Sequence, residues 1–114
     1  MAALVELLHD EWVNVRIYAV QSLGKLADKR AVPALIKTLS DSGENDLVRA
    51  GAAQALGAIK DPRALVPLRN LIMDAEELGE IEDTALKAYK HIMAHNWKQV
   101  PGANYKKAPQ TPAS

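Results

Sequence analysis

VRAGAAQALGAI, at residues 48–59, repeats VRIYAVQSLGKL, at residues 15–26, with a constant offset of 33 residues. Valine, arginine, alanine, glutamine, leucine and glycine recur at matching positions. The turns that follow also match, since DKRA at 28–31 corresponds to DPRA at 61–64. Self-similarity at a fixed period of this length indicates stacked supersecondary units, each burying its apolar face against the next.

A weaker third copy follows another 33 residues along, where Glu82 replaces the arginine and Lys90 replaces the glycine. Terminal repeats are often atypical because one face lacks a neighbour. Within each copy, apolar residues recur three or four positions apart, which predicts two amphipathic helices per repeat. We expect helices near residues 2–9, 13–27, 31–40, 46–60, 63–75 and 80–95, and therefore an all-α solenoid of three helix pairs.

The predicted repeat domain covers residues 1–96. Its three repeats are expected at about 1–28, 29–61 and 62–96. Prolines end the helical pattern beyond it, so residues 97–114 are predicted to form a flexible, basic, proline-containing tail. The tail could instead fold back over the third repeat through its apolar residues, which are Trp97, Val100 and Tyr105.

The composition excludes several classes of protein. Lysines and arginines number 14, as do aspartates and glutamates, so the basic excess of most nucleic-acid binders is missing. There is no cysteine, which excludes disulfides, thiolate zinc sites and a cysteine nucleophile. The N-terminus lacks the pattern of a secretory signal, and no apolar run is long enough to span a bilayer. We therefore expect a cytoplasmic location and no membrane association.

The charges are unevenly distributed along the chain. Residues 74–83, DAEELGEIED, carry six acids and no base, whereas the tail from Trp97 onward carries three lysines and no acid. Such segments can attract each other or a partner. Two solvated surfaces are the simpler interpretation.

VRAGAAQALGAIKDPRALVPL, residues 48–68, and VRIYAVQSLGKLADKRAVPAL, residues 15–35, resemble HEAT-like repeats of the phycobilin-lyase type. The resemblance extends over about residues 1–95 and is specific for the fold. It is not specific for function, because repeats of this type occur in lyase subunits, regulators and scaffolds alike.

The resemblance also implies a ladder of ion pairs between repeats. In such families an aspartate in the turn within a repeat pairs with an arginine at the start of the second helix. Here the ladder would join Asp10 to Arg16, and Asp41 or Asp46 to Arg49. Glu82 stands at the arginine position of the third repeat, so the ladder is expected to stop there.

In HEAT stacks the second helices line a concave face, and the resemblance places a working surface there. Small residues of the middle repeat, Gly51, Ala55 and Ala58, would form a flat floor suited to a partner helix or peptide. Tyr18 would be an aromatic anchor, or would merely pack over Gly51. The candidate partner-binding residues are Tyr18, Gln21, Lys25, Gln54, Lys87 and His91.

Catalytic, metal and cofactor sites are not predicted. His91 and His95 lie four residues apart on one helix face, but Ile92 follows His91 where the zinc-protease pattern needs glutamate. Deoxyhypusine hydroxylases, which resemble this chain in using HEAT-like repeats, hold iron with His-Glu pairs, and no His-Glu dipeptide occurs here. Two histidines near a helix C-terminus more simply favour the helix dipole.

These observations favour a non-enzymatic protein-interaction module. Two alternatives stay open: an accessory subunit or chaperone related to tetrapyrrole lyases, and weak nucleic-acid binding through Lys25, Lys87 and the tail. The first repeat begins within its first helix, and its apolar N-terminal flank lacks a polar cap. Such exposure predicts a possible homodimer through that helix.

Overall fold

The computed structural model describes residues 2–96, and every regular element within them is helical. The helices are α1 (Ala2–Glu6), α2 (Val13–Leu26), α3 (Val32–Ser40), α4 (Asp46–Ile59), α5 (Leu65–Asp74) and α6 (Glu80–Asn96). The predicted all-α solenoid is thus confirmed. Predictions for residues 97–114, including the fold-back of Trp97, Val100 and Tyr105, lie outside the described residues.

Short 3₁₀ turns account for the differences at the end of the first helix and at the starts of the third and fifth helices. Leu7–His9 continues α1 as a 3₁₀ turn, so the first helix is not one uninterrupted α-helix. Lys29–Ala31 and Pro62–Ala64 form 3₁₀ turns that lead into α3 and α5. Turns of this kind are frequent at helix ends. No helix within residues 2–96 has the length and apolar character needed to cross a membrane.

The six helices form two rows. Consecutive helices pack in pairs, α1 with α2, α3 with α4, and α5 with α6. α4 also packs against both α2 and α6, so the second helices of the pairs form one continuous row with α4 at its centre. We call α2, α4 and α6 the inner helices and α1, α3 and α5 the outer helices.

The core lies between the rows and repeats with the sequence. Ala19, Ala52 and Ala85 occupy equivalent positions, and all three are fully buried. Leu23 and Leu56 are likewise equivalent and fully buried, whereas Tyr89, at the third position, is only partly buried. The leucine spacing therefore predicted the buried face of each inner helix, and the alanines let the neighbouring helices approach closely.

The turns between repeats share one geometry. Ala27 and Lys60 end α2 and α4 in the left-handed conformation, with φ of 51° and 60°. The carboxylates of Asp28 and Asp61 then accept hydrogen bonds from the backbone N–H groups of the residues two positions on, both at 2.9 Å. Both aspartates are therefore N-caps of the 3₁₀ turns that follow them.

Each capping aspartate also binds an arginine side chain. Hydrogen bonds from the Arg30 guanidinium, the nearest at 2.6 Å, hold the pKa of the Asp28 carboxyl at about 2. Hydrogen bonds from Arg63 likewise lower the pKa of Asp61, which is only 6% exposed. Arg63 in addition donates to the backbone carbonyl of Lys29 at 3.1 Å. The Asp61 turn therefore ties the second inter-repeat turn to the first.

Replacing Asp61 with alanine should lower the free energy of unfolding by about 1–2 kcal/mol at pH 7, because the cap and the ion pair are lost together. The folded-state pKa of Asp61 lies below its unfolded value. Its contribution is therefore full above about pH 4 and is lost as the pH falls through the folded pKa. Urea unfolding measures the free energy of unfolding of both proteins at pH 7 and pH 3. The variant should differ less from wild type at pH 3 than at pH 7. Asp74→Asn, an exposed control, should change little at either pH.

The predicted ladder of aspartate–arginine pairs is wrong in its partners. The Arg16 guanidinium donates to the backbone carbonyl of Asp10 at 2.8 Å, not to its carboxylate, and forms an ion pair with Glu44 at 3.0 Å. Arg49 donates from Nε to the backbone carbonyl of Leu39 at 3.0 Å, and neither Asp41 nor Asp46 pairs with it in the described part of the chain. The arginines thus satisfy backbone carbonyls at and near the ends of the outer helices.

The aspartates are occupied by the turns themselves. Asp10 accepts the backbone N–H of Trp12 at 2.9 Å, and Asp41 accepts that of Gly43 at 2.9 Å. In the third repeat Glu82 accepts the backbone N–H of Gly79 at 2.9 Å, as in a capping box. Each of these three carboxylates therefore stabilises its own turn, and Glu82 does so from the arginine position of the third repeat.

Candidate partner-binding surface

Two adjacent grooves indent the surface of the inner helices. The first, of about 580 Å³, lies between α2 and α4, and the second, of about 540 Å³, lies between α4 and α6. Gln54 and Ala58 of α4 line both and form the ridge between them. We call the residues lining the two grooves the groove surface: Val20, Gln21, Gly24, Lys25, Gly51, Gln54, Ala55, Gly57, Ala58, Lys60, Thr84, Lys87, Ala88 and His91.

The floor of both grooves is made by close contact between small residues. A Cβ atom placed on Gly24 would lie 3.1 Å from the Cα atom of Ala55. A Cβ atom placed on Gly57 would lie 3.1 Å from the Cα atom of Ala88. The same glycine–alanine contact therefore joins successive inner helices, at a separation that leaves no room for a larger side chain. The floor of each groove therefore consists of small, apolar residues.

Five of the six predicted partner-binding residues lie on the groove surface. Gln21 and Lys25 line the first groove, Lys87 and His91 line the second, and Gln54 stands between the two. The predicted floor residues Gly51, Ala55 and Ala58 are present as well. The repeat alignment thus identified residues that share one surface.

Tyr18 is the exception, because it lines neither groove and is 60% exposed. It does not cover Gly51 either: a Cβ atom on Gly51 would lie 2.5 Å from Cγ2 of Val20, so Val20 fills that space. Since Gly51 faces the preceding inner helix, the equivalent Tyr18 faces away from α4, at the N-terminal end of the stack. Tyr18 is therefore separate from the groove surface.

The side of α2 that faces the N-terminal end of the stack exposes positions that the other repeats bury. Leu26 is 56% exposed, whereas the equivalent Ile59 and Ile92 are 6% and 0% exposed. Ser22 is half-buried, whereas Ala55, at the equivalent position, is buried beneath Gly24. We call Tyr18, Ser22 and Leu26 the end face. These residues lie four apart, so they form one stripe along α2.

Sequence reasoning missed Lys60 as a member of the groove surface. Lys60 follows the last residue of α4, and its left-handed backbone turns the chain at the mouth of the second groove. Its carbonyl accepts a hydrogen bond from Nδ2 of Asn96 at 2.7 Å, which ties the end of α6 to this turn. Periodicity alone could not place a residue beyond the helix end. The available signal was the position of Lys60, which follows a helical pattern and directly precedes the capping Asp61.

The described residues show no constellation for metal binding. Within residues 2–96, no three histidine, aspartate or glutamate side chains are close enough together to hold an ion. Of the two histidines on α6, His91 lines the second groove and His95 does not. Among the described residues, no buried side-chain nitrogen or oxygen lacks a hydrogen-bond partner.

Comparison with known proteins identifies a family and similar solved structures. The model of a family described as HEAT repeats matches residues 1–90. No curated protein matches the chain. A solved structure of human deoxyhypusine hydroxylase in complex with glycerol aligns with a TM-score of 0.73 at 27% sequence identity. The alignment covers 99% of this chain and 35% of that one, so this chain spans about a third of the hydroxylase's length.

Proposed function

The chain belongs to the HEAT-repeat family, and from that premise we propose that it is a non-enzymatic module that binds a helix or peptide of a partner protein. The groove surface carries this proposal. Small apolar residues form its floor at Ala55 and Ala88 and part of its ridge at Ala58, and polar side chains surround them. A hydrophobic centre with a polar rim is the usual anatomy of a protein interface. HEAT repeats generally mediate protein–protein interaction, which agrees with this use of the surface.

The size of the surface favours a segment of secondary structure as the partner. A helix with its side chains is about 10–12 Å across, and the small floor residues would let such a helix approach the backbone of α4. The low ridge at Ala58 allows one ligand to occupy both grooves. The partner would therefore contact all three inner helices, which no single repeat could offer.

The absence of enzymatic activity is part of the proposal. The chain is similar to a hydroxylase over about a third of that enzyme's length. Its own three histidines are followed by Asp10, Ile92 and Asn96. It therefore lacks the His-Glu pairs expected of iron-binding HEAT-like repeats, and the likeness supports the shared fold more than a shared reaction.

The sequence also suggested an accessory role with tetrapyrrole lyases and weak nucleic-acid binding. Both ligands favour aromatic side chains on which a ring or base can stack. In the described part of the chain, neither groove is lined by an aromatic residue. The groove surface therefore favours a peptide over either alternative.

The proposed homodimer would use the end face and α1. Leu4, Val5 and Leu7 of the first repeat pack against the core but stay partly exposed, and α1 packs against α2, which carries the end face. Self-association at this end would leave the groove surface open. Light scattering at rising concentration measures it directly, and a constant monomer mass would rule it out.

Replacing Ala58 with tryptophan is expected to weaken capture of the native partner by about tenfold or more, because the indole would occupy both grooves. The measurement is quantitative pull-down from native extract followed by mass spectrometry. Val66→Trp places the same side chain at an exposed position of α5 and serves as the matched control. Partners held by wild type and by the control, but lost by Ala58→Trp, are those expected. A partner kept equally by all three proteins would place binding elsewhere.

A further inference from the structure

The net charge of zero conceals a separation of charge across the molecule. Most acids lie in or beside the turns within repeats, at residues 10–11, 41–46 and 74–83. In the inter-repeat turns, Asp28 and Asp61 are both paired with arginines. The C-terminal halves of the inner helices and the turns after them are therefore basic, whereas the opposite edge is acidic.

The groove surface lies at the basic side of this separation. Lys25 lines the first groove, and Lys60, Lys87 and His91 line the second. No acidic residue lines either groove in the described part of the chain. An adjoining depression nearer the start of the inner helices contains Glu80, and it shares Val20, Gln21, Gly51, Gln54 and Thr84 with the groove surface.

The basic charges of the groove surface are poorly neutralised. Within residues 2–96, Lys25 and Lys60 form no ion pair. Lys87 pairs with Asp83 at 3.3 Å, but both side chains are more than half exposed, so solvent screens the pair. The C-termini of the inner helices each contribute about half a negative charge, which offsets only part of one lysine per helix. A net positive field remains over the grooves.

We propose that the partner segment is an acidic amphipathic helix, whose carboxylates face Lys25, Lys60 and Lys87 while its small apolar residues rest on Ala55 and Ala58. This inference rests on the proposed function and specifies the chemistry of its partner. Complementary charge fixes the register of such a helix and accelerates its association. A nucleic acid would also meet the lysines, but the apolar floor offers its phosphates nothing and its bases no stacking partner.

Three labelled peptides of about 18 residues, or five helical turns, test the proposal with the full chain. They share one alanine and leucine pattern and carry glutamate, glutamine or lysine at the polar positions. Fluorescence anisotropy should show the glutamate peptide binding at least about tenfold more tightly than the glutamine peptide at low salt. The difference should shrink as salt rises to about 0.5 M, because the charges are screened.

Charge reversal of the chain locates the effect. Lys25→Glu combined with Lys87→Glu should abolish the preference for the glutamate peptide. Lys37→Glu combined with Arg69→Glu reverses two exposed charges of the outer helices and should leave the preference intact. Circular dichroism melting of both double variants establishes that each is folded.

The remaining outcomes separate the two proposals. Equal binding of the glutamate and glutamine peptides, lost in Ala58→Trp, would overturn the acidic preference and leave the groove as the binding surface. Binding that Ala58→Trp does not weaken, or no binding of any peptide, would overturn both. Tighter binding of a single-stranded oligonucleotide than of the glutamate peptide would overturn the acidic preference in favour of a nucleic acid.

Discussion

Gly57→Leu is expected to destabilise the fold by about 3 kcal/mol or more, the largest effect that we predict for one substitution. Even a single Cβ atom at this position would lie 3.0 Å from Cβ and 3.1 Å from Cα of Ala88. The nearest atoms belong to the backbone and first side-chain carbon of α6, so they cannot rotate away. A leucine can be accommodated only if α4 and α6 separate, which would expose the interface between the second and third repeats.

Ala58→Leu is the matched control for this prediction. Ala58 is the next residue of α4, but it is exposed on the ridge between the grooves. The same leucine there should change the free energy of unfolding by no more than about 0.5 kcal/mol. Urea unfolding followed by far-ultraviolet circular dichroism measures both variants. Equal stability of the two would mean that α4 and α6 do not pack as closely as the structure shows.

Arg16→Met is expected to lower the free energy of unfolding by about 2 kcal/mol, because it leaves the Glu44 carboxylate without its main partner. The side chains of Arg16 and Glu44 are only 20% and 10% exposed, and their nitrogen and oxygen atoms approach to 3.0 Å. Arg16 also donates to the Asp10 carbonyl at 2.8 Å. This one side chain therefore holds the turn of the first repeat against the turn of the second.

A double-mutant cycle isolates the ion pair from the backbone contact. Arg16→Met, Glu44→Gln and their combination should give a coupling energy of about 1–2 kcal/mol by urea unfolding. Arg30→Met removes the exposed partner of Asp28 and should affect stability much less, since water screens that pair. A coupling energy near zero would show that the Arg16–Glu44 pair does not hold the repeats together.

The repeat pattern predicted the architecture well because the physics of that architecture is local. Positions such as Ala52 and Leu56 recur every 33 residues, and helical periodicity assigns them to one buried face. The aspartate caps can also be predicted from the sequence, because each cap joins two residues that lie two positions apart along the chain. The same locality explains why each inner helix was placed almost to the residue.

The predictions that were wrong depend on how the helices and turns are oriented relative to one another. Periodicity shows that Tyr18 and Gly51 are equivalent, but not that this position faces along the stack rather than into the grooves. The arginine partners were wrong because Arg16 and Arg49 donate to backbone carbonyls, and Arg16 also pairs with Glu44 of the next repeat, instead of binding the aspartate carboxylates. Glu44 could not be identified as the partner of Arg16, since nothing in the sequence fixes how two successive turns approach each other.

The separation of charge was also hidden from the sequence. A linear reading showed an acidic run at residues 74–83 and a basic tail, and a total charge of zero. Folding places Glu80 in one depression with Leu47 of the preceding repeat and Asp74 in another with Ser40, and it gathers Lys25, Lys60 and Lys87 around the grooves. The separation of charge, which specifies the proposed partner, therefore arises only when the repeats stack.

The central claim, that the inner helices form the binding surface, is tested most directly by nuclear magnetic resonance. The ¹⁵N-labelled full chain is titrated with the unlabelled glutamate peptide, and the amide shifts are mapped onto the helices. We expect the largest changes on the groove surface, at Gln21, Gln54, Ala58 and Lys87, and small changes on α3 and α5. Changes concentrated on the outer helices or the end face, or no changes at saturating peptide, would contradict the account.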